Sequence, residues 1–230
     1  MTMNAPLDEL DELKAREEEE QVPATPVRSL RYSLMLLGMS VVWAVLLAQF
    51  GEGQIYWIMG PYAACMSAVL MTLRSRALLR RLRPTLRNVA IGTGVGVGMT
   101  LATYPAFAAA KALFPALYRN VIELYSQSND ESLPVALAWV IVILSAEELL
   151  WRGAWIEALS ARFGPLTAGA LSVVIYALTQ LASGSFIVCL LALCCGAIWT
   201  LLRHYTGSLV APLLSHMIWT PTVILLVPVT

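Results

Sequence analysis

The sequence predicts an all-α fold, a polytopic membrane bundle of about seven transmembrane helices, and three observations support this prediction. Of the 230 residues, 58% are hydrophobic and 13% are charged, against about 25% charged residues in soluble domains. The charges are clustered, with eight of the fifteen carboxylates in residues 8–20 and six of the fifteen basic residues in residues 74–87. Between the clusters lie uncharged stretches that can cross a bilayer, which takes about 20 apolar residues per helix.

The apolar segments, and the charges, glycines and prolines between them, divide the chain into two parts. Residues 1–30 form an acidic, Glu-rich segment that is typical of a solvated cytoplasmic tail and is predicted to be disordered as a whole. Residues 31–230 form the membrane domain, because an apolar soluble bundle would have no use for so many uncharged stretches of spanning length. The predicted helices lie at residues 33–50, 56–73, 88–110, 133–163, 165–182, 186–202 and 208–227.

Four alternating glycines mark the helix predicted at residues 88–110. Gly92, Gly94, Gly96 and Gly98 form two overlapping G-x-x-x-G pairs, which let a neighbouring helix approach closely. The run does not match the nucleotide-binding pattern G-x-G-x-x-G, because Val97 takes the place of the third glycine. We therefore expect a helix-packing face here.

Net charge and cysteine spacing exclude two further classes of function. The formal net charge is zero, so nothing indicates nucleic-acid binding. The four cysteines lie in apolar segments without the spacing of a metal site, and we expect them to act as small apolar residues in helix interfaces; they are Cys65, Cys189, Cys194 and Cys195.

The basic residues predict the orientation of the helices. With a cytoplasmic N-terminus, thirteen of the fifteen lysines and arginines fall in cytoplasmic segments, and only Lys111 and Arg119 fall outside. Cytoplasmic loops of membrane proteins are enriched in basic residues. We therefore expect the N-terminus inside and, with seven spans, the C-terminus outside.

Ionisable residues inside the predicted spans are few, and they cluster. Such residues cost roughly 2.5–3.5 kcal/mol each at a helix centre on insertion scales, so they indicate function. The helix at residues 133–163 contains Glu147, Glu148, Trp151 and Arg152. Glu148 and Arg152 lie one turn apart on one face and are expected to pair, whereas Glu147 points about 100° away and is left free for chemistry.

Two further helices add polar residues at one-turn spacing. His216 and Thr220 share a face of the last helix, and Tyr176 and Gln180 share a face of the helix at residues 165–182. Each of these residues also has an ordinary structural explanation, namely an interfacial salt bridge, a packed histidine or a hydrogen bond between helices. Their coincidence in the last four helices favours a functional site. His204, beside Arg203 at the predicted cytoplasmic edge, is assigned to structure alone.

At residues 133–225 the chain resembles the CAAX prenyl protease and bacteriocin-processing (CPBP, Abi) family of intramembrane proteases. The first family motif, two glutamates, three residues and an arginine, is present as E-E-L-L-W-R at residues 147–152. The second, Phe, three residues and His, corresponds to Y-A-L-T-Q at residues 176–180. The third, His, three residues and Asn or Asp after a Gly-Ser-Leu-x-x-Pro approach, corresponds to G-S-L-V-A-P-L-L-S-H-M-I-W-T at residues 207–220.

The resemblance implies roles for the matching residues. Glu147 would be the general base that activates water, with His216 as its partner, while Glu148 and Arg152 complete the first motif. Gln180 and Thr220 replace the family's His and Asn or Asp at the positions of oxyanion donors, and both can still donate hydrogen bonds. Tyr176 and Trp151 are candidate substrate-binding residues. One histidine and two carboxylates, one of them paired with arginine, make a poor zinc site, so no metal or other cofactor is expected.

The predicted function is that of an intramembrane endopeptidase that cleaves a membrane-anchored or lipidated peptide with glutamate-activated water. The alternative is an inactive family member that acts as a membrane scaffold, regulator or immunity-type binder, which the changes at Gln180 and Thr220 favour. A transporter is disfavoured because the spans show no evident internal repeat. The expected partners are a membrane-anchored substrate and the lipid bilayer, and the expected location is the bacterial inner (cell) membrane.

Overall fold

The computed structural model describes residues 26–49, 55–114 and 131–228, and all the regular structure in these ranges is helical. The segment from residue 133 to residue 163 contains a π-helical stretch, π1, between two α-helices, and a second π stretch, π2, follows the last α-helix. The elements are α1 (Pro26–Gln49), α2 (Ile55–Arg81), α3 (Leu86–Leu113), α4 (Leu133–Glu147), π1 (Glu148–Trp155), α5 (Ile156–Phe163), α6 (Pro165–Leu181), α7 (Phe186–Thr206), α8 (Val210–Pro221) and π2 (Thr222–Leu226).

The helices form an integral membrane bundle, in agreement with the predicted fold class. Within the described residues, five helical runs are long and apolar enough to span a bilayer: Leu30–Gln49, Tyr56–Arg74, Leu86–Leu113, Leu133–Phe163 and Phe186–Thr206. The other two predicted helices are present as shorter apolar helices, Pro165–Leu181 and Val210–Leu226. The first of these has 17 residues, which extend about 26 Å, slightly less than the ~30 Å hydrocarbon core.

Four helices, α1, α2, α3 and α7, extend beyond the boundaries that hydropathy predicted, and the first two do so by the most residues. The first begins at Pro26, so residues 26–30 are helical, and the rest of the predicted tail lies outside the described residues. The second continues past residue 73 to Arg81, with a local break at Arg74 (φ −134°, ψ 30°). Hydropathy marks where a helix leaves the apolar layer, but leucine and arginine favour helix in water as well, so the helix itself continues.

The predicted helix at residues 133–163 is continuous but not uniform. It ends as predicted at Gly164, whose φ of 75° suits glycine, followed by Pro165. Its middle eight residues form π1, with all side chains buried. The hydroxyl of Ser172 on α6 donates to the carbonyl oxygen of Trp151 at 2.6 Å. Single π turns inside α-helices occur frequently at functional sites.

One of the two glycine pairs on α3 packs against α8. A Cβ on Gly92 would lie 2.6 Å from the carbonyl oxygen of Ala211, and one on Gly96 would lie 3.0 Å from the Cα of Ser215. Gly94 and Gly98 have no such neighbour within 4 Å among the described residues. The predicted packing face is confirmed for the first pair, and it places α3 directly behind the helix that contains His216.

The cysteines only partly follow the prediction that they lie in helix interfaces. Cys195 is buried and Cys189 is intermediate, whereas Cys65 and Cys194 are exposed. Cys194 and Cys195 are consecutive on α7, so they point about 100° apart and cannot both face the interior. The prediction was wrong for the two exposed residues, because an apolar segment in a membrane has a lipid-facing side as well as a buried one.

Helix ends that were predicted to lie on the same side of the membrane are in contact. The backbone N–H of Leu209 and the hydroxyl of Ser208 both donate to the carbonyl oxygen of Arg81, at 2.9 Å and 3.0 Å. At the other end of the bundle, the indole of Trp57 donates to Glu131 at 2.7 Å. These contacts place the end of α2 beside the start of α8, and the start of α2 beside the start of α4, as the predicted helix order requires.

Candidate active site

Glu147, the last residue of α4, is held by two donors from α6. The hydroxyl of Tyr176 donates to its Oε2 at 3.1 Å, and the amide Nε2 of Gln180 donates to its Oε1 at 2.7 Å. The two donors lie one turn apart on one face of α6, as their spacing predicted. Glu147 is 5% exposed. Both carboxylate oxygens therefore accept hydrogen bonds from uncharged donors in the interior of the bundle.

Glu148, the next residue along the chain, forms the second half of the site. Its Oε1 lies 3.2 Å from Nη1 of Arg152, the predicted pair one turn along the helix, and 2.9 Å from Nδ1 of His216 on α8. All three side chains are at least 97% buried. Buried charges need such partners, because an isolated one is strongly destabilising.

His216 lies between the two carboxylates. Its Nδ1 contacts Glu148, while its Nε2 lies 3.8 Å from Oε2 of Glu147, which is too far for a direct hydrogen bond. The carboxylate oxygen of Glu148 that contacts Arg152 accepts hydrogen bonds, so we assign the hydrogen of the neutral imidazole to Nδ1. The lone pair on Nε2 then faces Glu147. The hydrogen-bonded partner of the histidine is Glu148, while the catalytic partnership of His216 with Glu147, which the resemblance implies, stays a prediction.

Trp199 on α7 is part of the site, and the sequence analysis missed it. Its ring stacks on His216 with centroids 3.5 Å apart and an angle of 23° between the planes, and its Nε1 donates to the hydroxyl of Ser215 at 3.3 Å. The guanidinium of Arg152 lies 5.2 Å from the centre of the same ring. Trp199 thus fixes the plane of the imidazole and closes one side of the charged cluster.

The sequence contains one indication that Trp199 lies at the site, a glycine one turn before it. A Cβ on Gly196 would lie 3.0 Å from Nη2 of Arg152 and 3.1 Å from the ring of Tyr176. A glycine and a tryptophan one turn apart in an otherwise apolar helix indicate a face that meets bulky side chains at close range. Sequence alone did not say which side chains those are.

The two candidate substrate-binding residues pack against each other beside Glu147. The rings of Trp151 and Tyr176 are 5.4 Å apart, and they are 0% and 5% exposed. Nε1 of Trp151 is buried and has no hydrogen-bond partner among the described residues. The structure thus brings both residues to the site: Tyr176 donates a hydrogen bond to Glu147, and Trp151 packs against Tyr176.

Thr220 is the predicted site residue for which the described part of the structure shows no hydrogen bond to the other site residues. Its hydroxyl is buried and has no hydrogen-bond partner in the described part of the chain. Gln180 is at the site, but it uses an amide hydrogen to bind Glu147, where the resemblance had implied an oxyanion donor. This contact uses one of the two amide hydrogens of Gln180 and leaves the second for another acceptor. No group of three or more potential ligands with metal-site geometry occurs among the described residues.

The comparisons with known proteins agree with the motif-based resemblance. Residues 129–221 match the family model described as type II CAAX prenyl endopeptidase Rce1-like. This segment contains every residue of the site described above, from Glu147 to Thr220. No curated protein and no solved structure matches the chain. The predicted resemblance to the CAAX protease family is thereby confirmed over residues 129–221.

Proposed function

From the Rce1-like region at residues 129–221, we propose that this membrane protein is an endopeptidase in which Glu147 activates water. The observation that supports this mechanism is the pair of acceptors formed by Oε2 of Glu147 and Nε2 of His216, 3.8 Å apart. A water molecule between them would donate one hydrogen to each, and its lone pair would point away from both. This is the arrangement that nucleophilic attack requires.

The proposed reaction consists of addition and collapse. Glu147 takes a proton from the water as the oxygen attacks the carbonyl carbon of the scissile peptide bond. The C–N bond then breaks, and Glu147 returns the proton to the departing nitrogen, so the products are an acid and an amine. Throughout, His216 orients the water, and Glu148 keeps the imidazole in the tautomer with a free Nε2.

Gln180 has two tasks in this proposal, one for each amide hydrogen. The first hydrogen holds Glu147 in place. The second is available for the oxyanion that forms when water adds to the carbonyl, a contact that is typically worth about 10²–10³ in rate. Thr220 remains the candidate for a second donor, because its buried hydroxyl has no hydrogen-bond partner among the described residues.

The proposed substrate is a membrane-anchored or lipidated peptide cleaved near the cytoplasmic half of the bilayer. The site lies inside helices of spanning length, and Trp151 and Tyr176 give it an aromatic lining suited to apolar side chains near the scissile bond. The distribution of basic residues supports a cytoplasmic N-terminus, and we propose the bacterial inner membrane as the location.

The test is a comparison of membrane peptides in cells that produce the wild-type protein or Glu147→Gln. The amide is nearly isosteric with the carboxylate but cannot accept the proton, so substrate precursors should accumulate while the protein stays folded. Glu131→Gln is the matched control, since Glu131 accepts a hydrogen bond from the indole of Trp57 outside the site and glutamine can still accept it. Identical peptide profiles for wild type and Glu147→Gln would rule out the mechanism and favour a scaffold or immunity-type binder.

A further inference from the structure

A cavity of about 360 Å³, with several charged side chains in its lining, lies at the end of the bundle where α2 and α7 end and α6 begins. Its lining includes Arg81, Glu157, Thr200, Arg203 and His204, and neither Glu147 nor His216 contributes to it. A volume of this size is at the lower end of the range for small-molecule sites. The cavity is thus separate from the site proposed for catalysis.

Two buried side chains on the cavity wall have unused hydrogen-bonding groups. Arg203 is 8% exposed and Thr200 is 9% exposed. Nε of Arg203 and the hydroxyl of Thr200 are buried, and neither has a hydrogen-bond partner among the described residues. Buried polar groups in folded proteins are almost always paired with protein, water or ligand. These two groups therefore point to a bound polar molecule.

The charges around the cavity describe what that molecule must be. Arg81 and Arg203 supply two guanidinium groups, and His204 lies beside them. Glu157 supplies a carboxylate: its Oε1 lies 3.3 Å from Nη1 of Arg74, while its Oε2 is buried without a hydrogen-bond partner in the described part of the chain. A complementary ligand has an anionic group for the arginines and a hydrogen-bond donor for Glu157.

The position of the cavity favours a lipid. It lies at the ends of two spanning helices, the level at which phospholipid headgroups meet the protein. Leu166 and Leu201, which adjoin the lining residues Pro165 and Thr200 in sequence, are 68% and 63% exposed, so this end of the bundle presents apolar side chains that acyl chains could contact. Basic pockets between membrane helices are known to bind lipid headgroups.

We propose that this cavity binds the headgroup of a phospholipid. The phosphate would contact Arg203 and Arg81, since arginine forms strong charge-assisted hydrogen bonds with phosphate oxygens. A hydroxyl of glycerol or the ammonium of ethanolamine would donate to Oε2 of Glu157. Phosphatidylcholine has the phosphate but no such donor, so it should bind more weakly.

The experiment is a titration of the purified full-length protein in detergent, followed by native mass spectrometry. The probes are dioleoyl-phosphatidylglycerol, dioleoyl-phosphatidylethanolamine, dioleoyl-phosphatidylcholine and inorganic phosphate. Arg203→Gln should weaken phosphatidylglycerol binding about tenfold or more, the loss expected for one charge-assisted hydrogen bond. Thr200→Val keeps the shape and the contact with Gly169 and should weaken it about threefold.

The control is Arg162→Gln, because Arg162 is exposed and does not line the cavity; this variant should bind the lipids like the wild type. Saturable binding of inorganic phosphate without lipid binding would assign the same phosphate chemistry to a free anion. Equal affinity for all three lipids, or unchanged phosphatidylglycerol binding in Thr200→Val and Arg203→Gln, would overturn the proposal. Thr200→Val alone decides the matter if Arg203→Gln fails to fold.

Discussion

Replacing Gln180 tests whether this residue only positions Glu147 or also stabilises the oxyanion. The 2.7 Å contact from its Nε2 to Oε1 of Glu147 is a hydrogen bond to a charged acceptor, worth about 1.5–3 kcal/mol. Its loss in Gln180→Ala should lower turnover by about 10- to 100-fold if positioning is the only role. If the second amide hydrogen also contacts the oxyanion, we expect a further loss of about 10²–10³.

Gln180→His supplies the necessary comparison. It restores the residue found at this position of the family motif, and a neutral imidazole still donates through one nitrogen. With a single donor it can hold Glu147 or the oxyanion, but not both at once. We therefore expect Gln180→His to be more active than Gln180→Ala. Thr179→Val is the matched control, because the hydroxyl of Thr179 bonds only within its own helix, to the carbonyl oxygen of Ile175 at 2.8 Å.

The assay is turnover of the precursor peptide identified by the Glu147→Gln comparison, with purified variants in detergent and their thermal stability measured in parallel. Even the full loss of this hydrogen bond, about 1.5–3 kcal/mol, is smaller than a typical folding stability of about 5–15 kcal/mol, so the variants should remain folded. Unchanged turnover in Gln180→Ala would remove Gln180 from the site. A silent wild type that Gln180→His makes active would show that the natural protein has given up proteolysis.

Three further predictions concern topology and packing. In a background without native cysteines, a cysteine at Arg80 should be labelled only from the cytoplasm and one within residues 120–131 only from outside; the reverse pattern would contradict the orientation. Arg152→Ala should lower the yield of folded protein in detergent, by about 3–5 kcal/mol of stability, because it leaves the buried Glu148 without its cation, while Arg162→Ala at an exposed position should not. Gly92→Ala should lower the melting temperature, because the new Cβ would lie 2.6 Å from the backbone of Ala211. Gly94→Ala is the control: its Cβ would have no neighbour within 4 Å among the described residues, and the change should stabilise the helix by about 1 kcal/mol. Equal effects of the two changes would refute the packing of α3 on α8.

Relations within one helix were predictable from the sequence, because the helical period sets them. The pairing of Glu148 with Arg152 follows from their spacing, as does the direction of Glu147, about 100° away from that of Glu148. The two glycine pairs on α3 lie two residues apart and thus about 200° around the helix, so only one pair can face a given neighbour. The period cannot say which, since that depends on how the whole helix is rotated against α8.

Relations between helices were less predictable for the same reason. His216 lies 2.9 Å from Glu148 and 3.8 Å from Glu147, and this difference depends on how α8 is rotated and placed against the helix that contains the two glutamates. The stacking of Trp199 on His216 depends on the axial offset of α7 against α8, which no spacing within either helix encodes. The contact between Gln180 and Glu147 likewise depends on the axial offset of α6 against α4, which the sequence of neither helix specifies.

The division of charge between the two carboxylates explains why the site needs both. Arg152 contacts Glu148 but is not within ion-pair distance of Glu147 among the contacts described, so the arginine compensates one carboxylate directly. Glu148 in turn fixes the tautomer of His216, while Glu147 has only uncharged donors, Tyr176 and Gln180, on its oxygens. Of the two, Glu147 is therefore the carboxylate that can exchange a proton without breaking an ion pair. Exchanging their tasks would require the reacting group to release Arg152 in the interior of the bundle, where an unpaired charge is most costly.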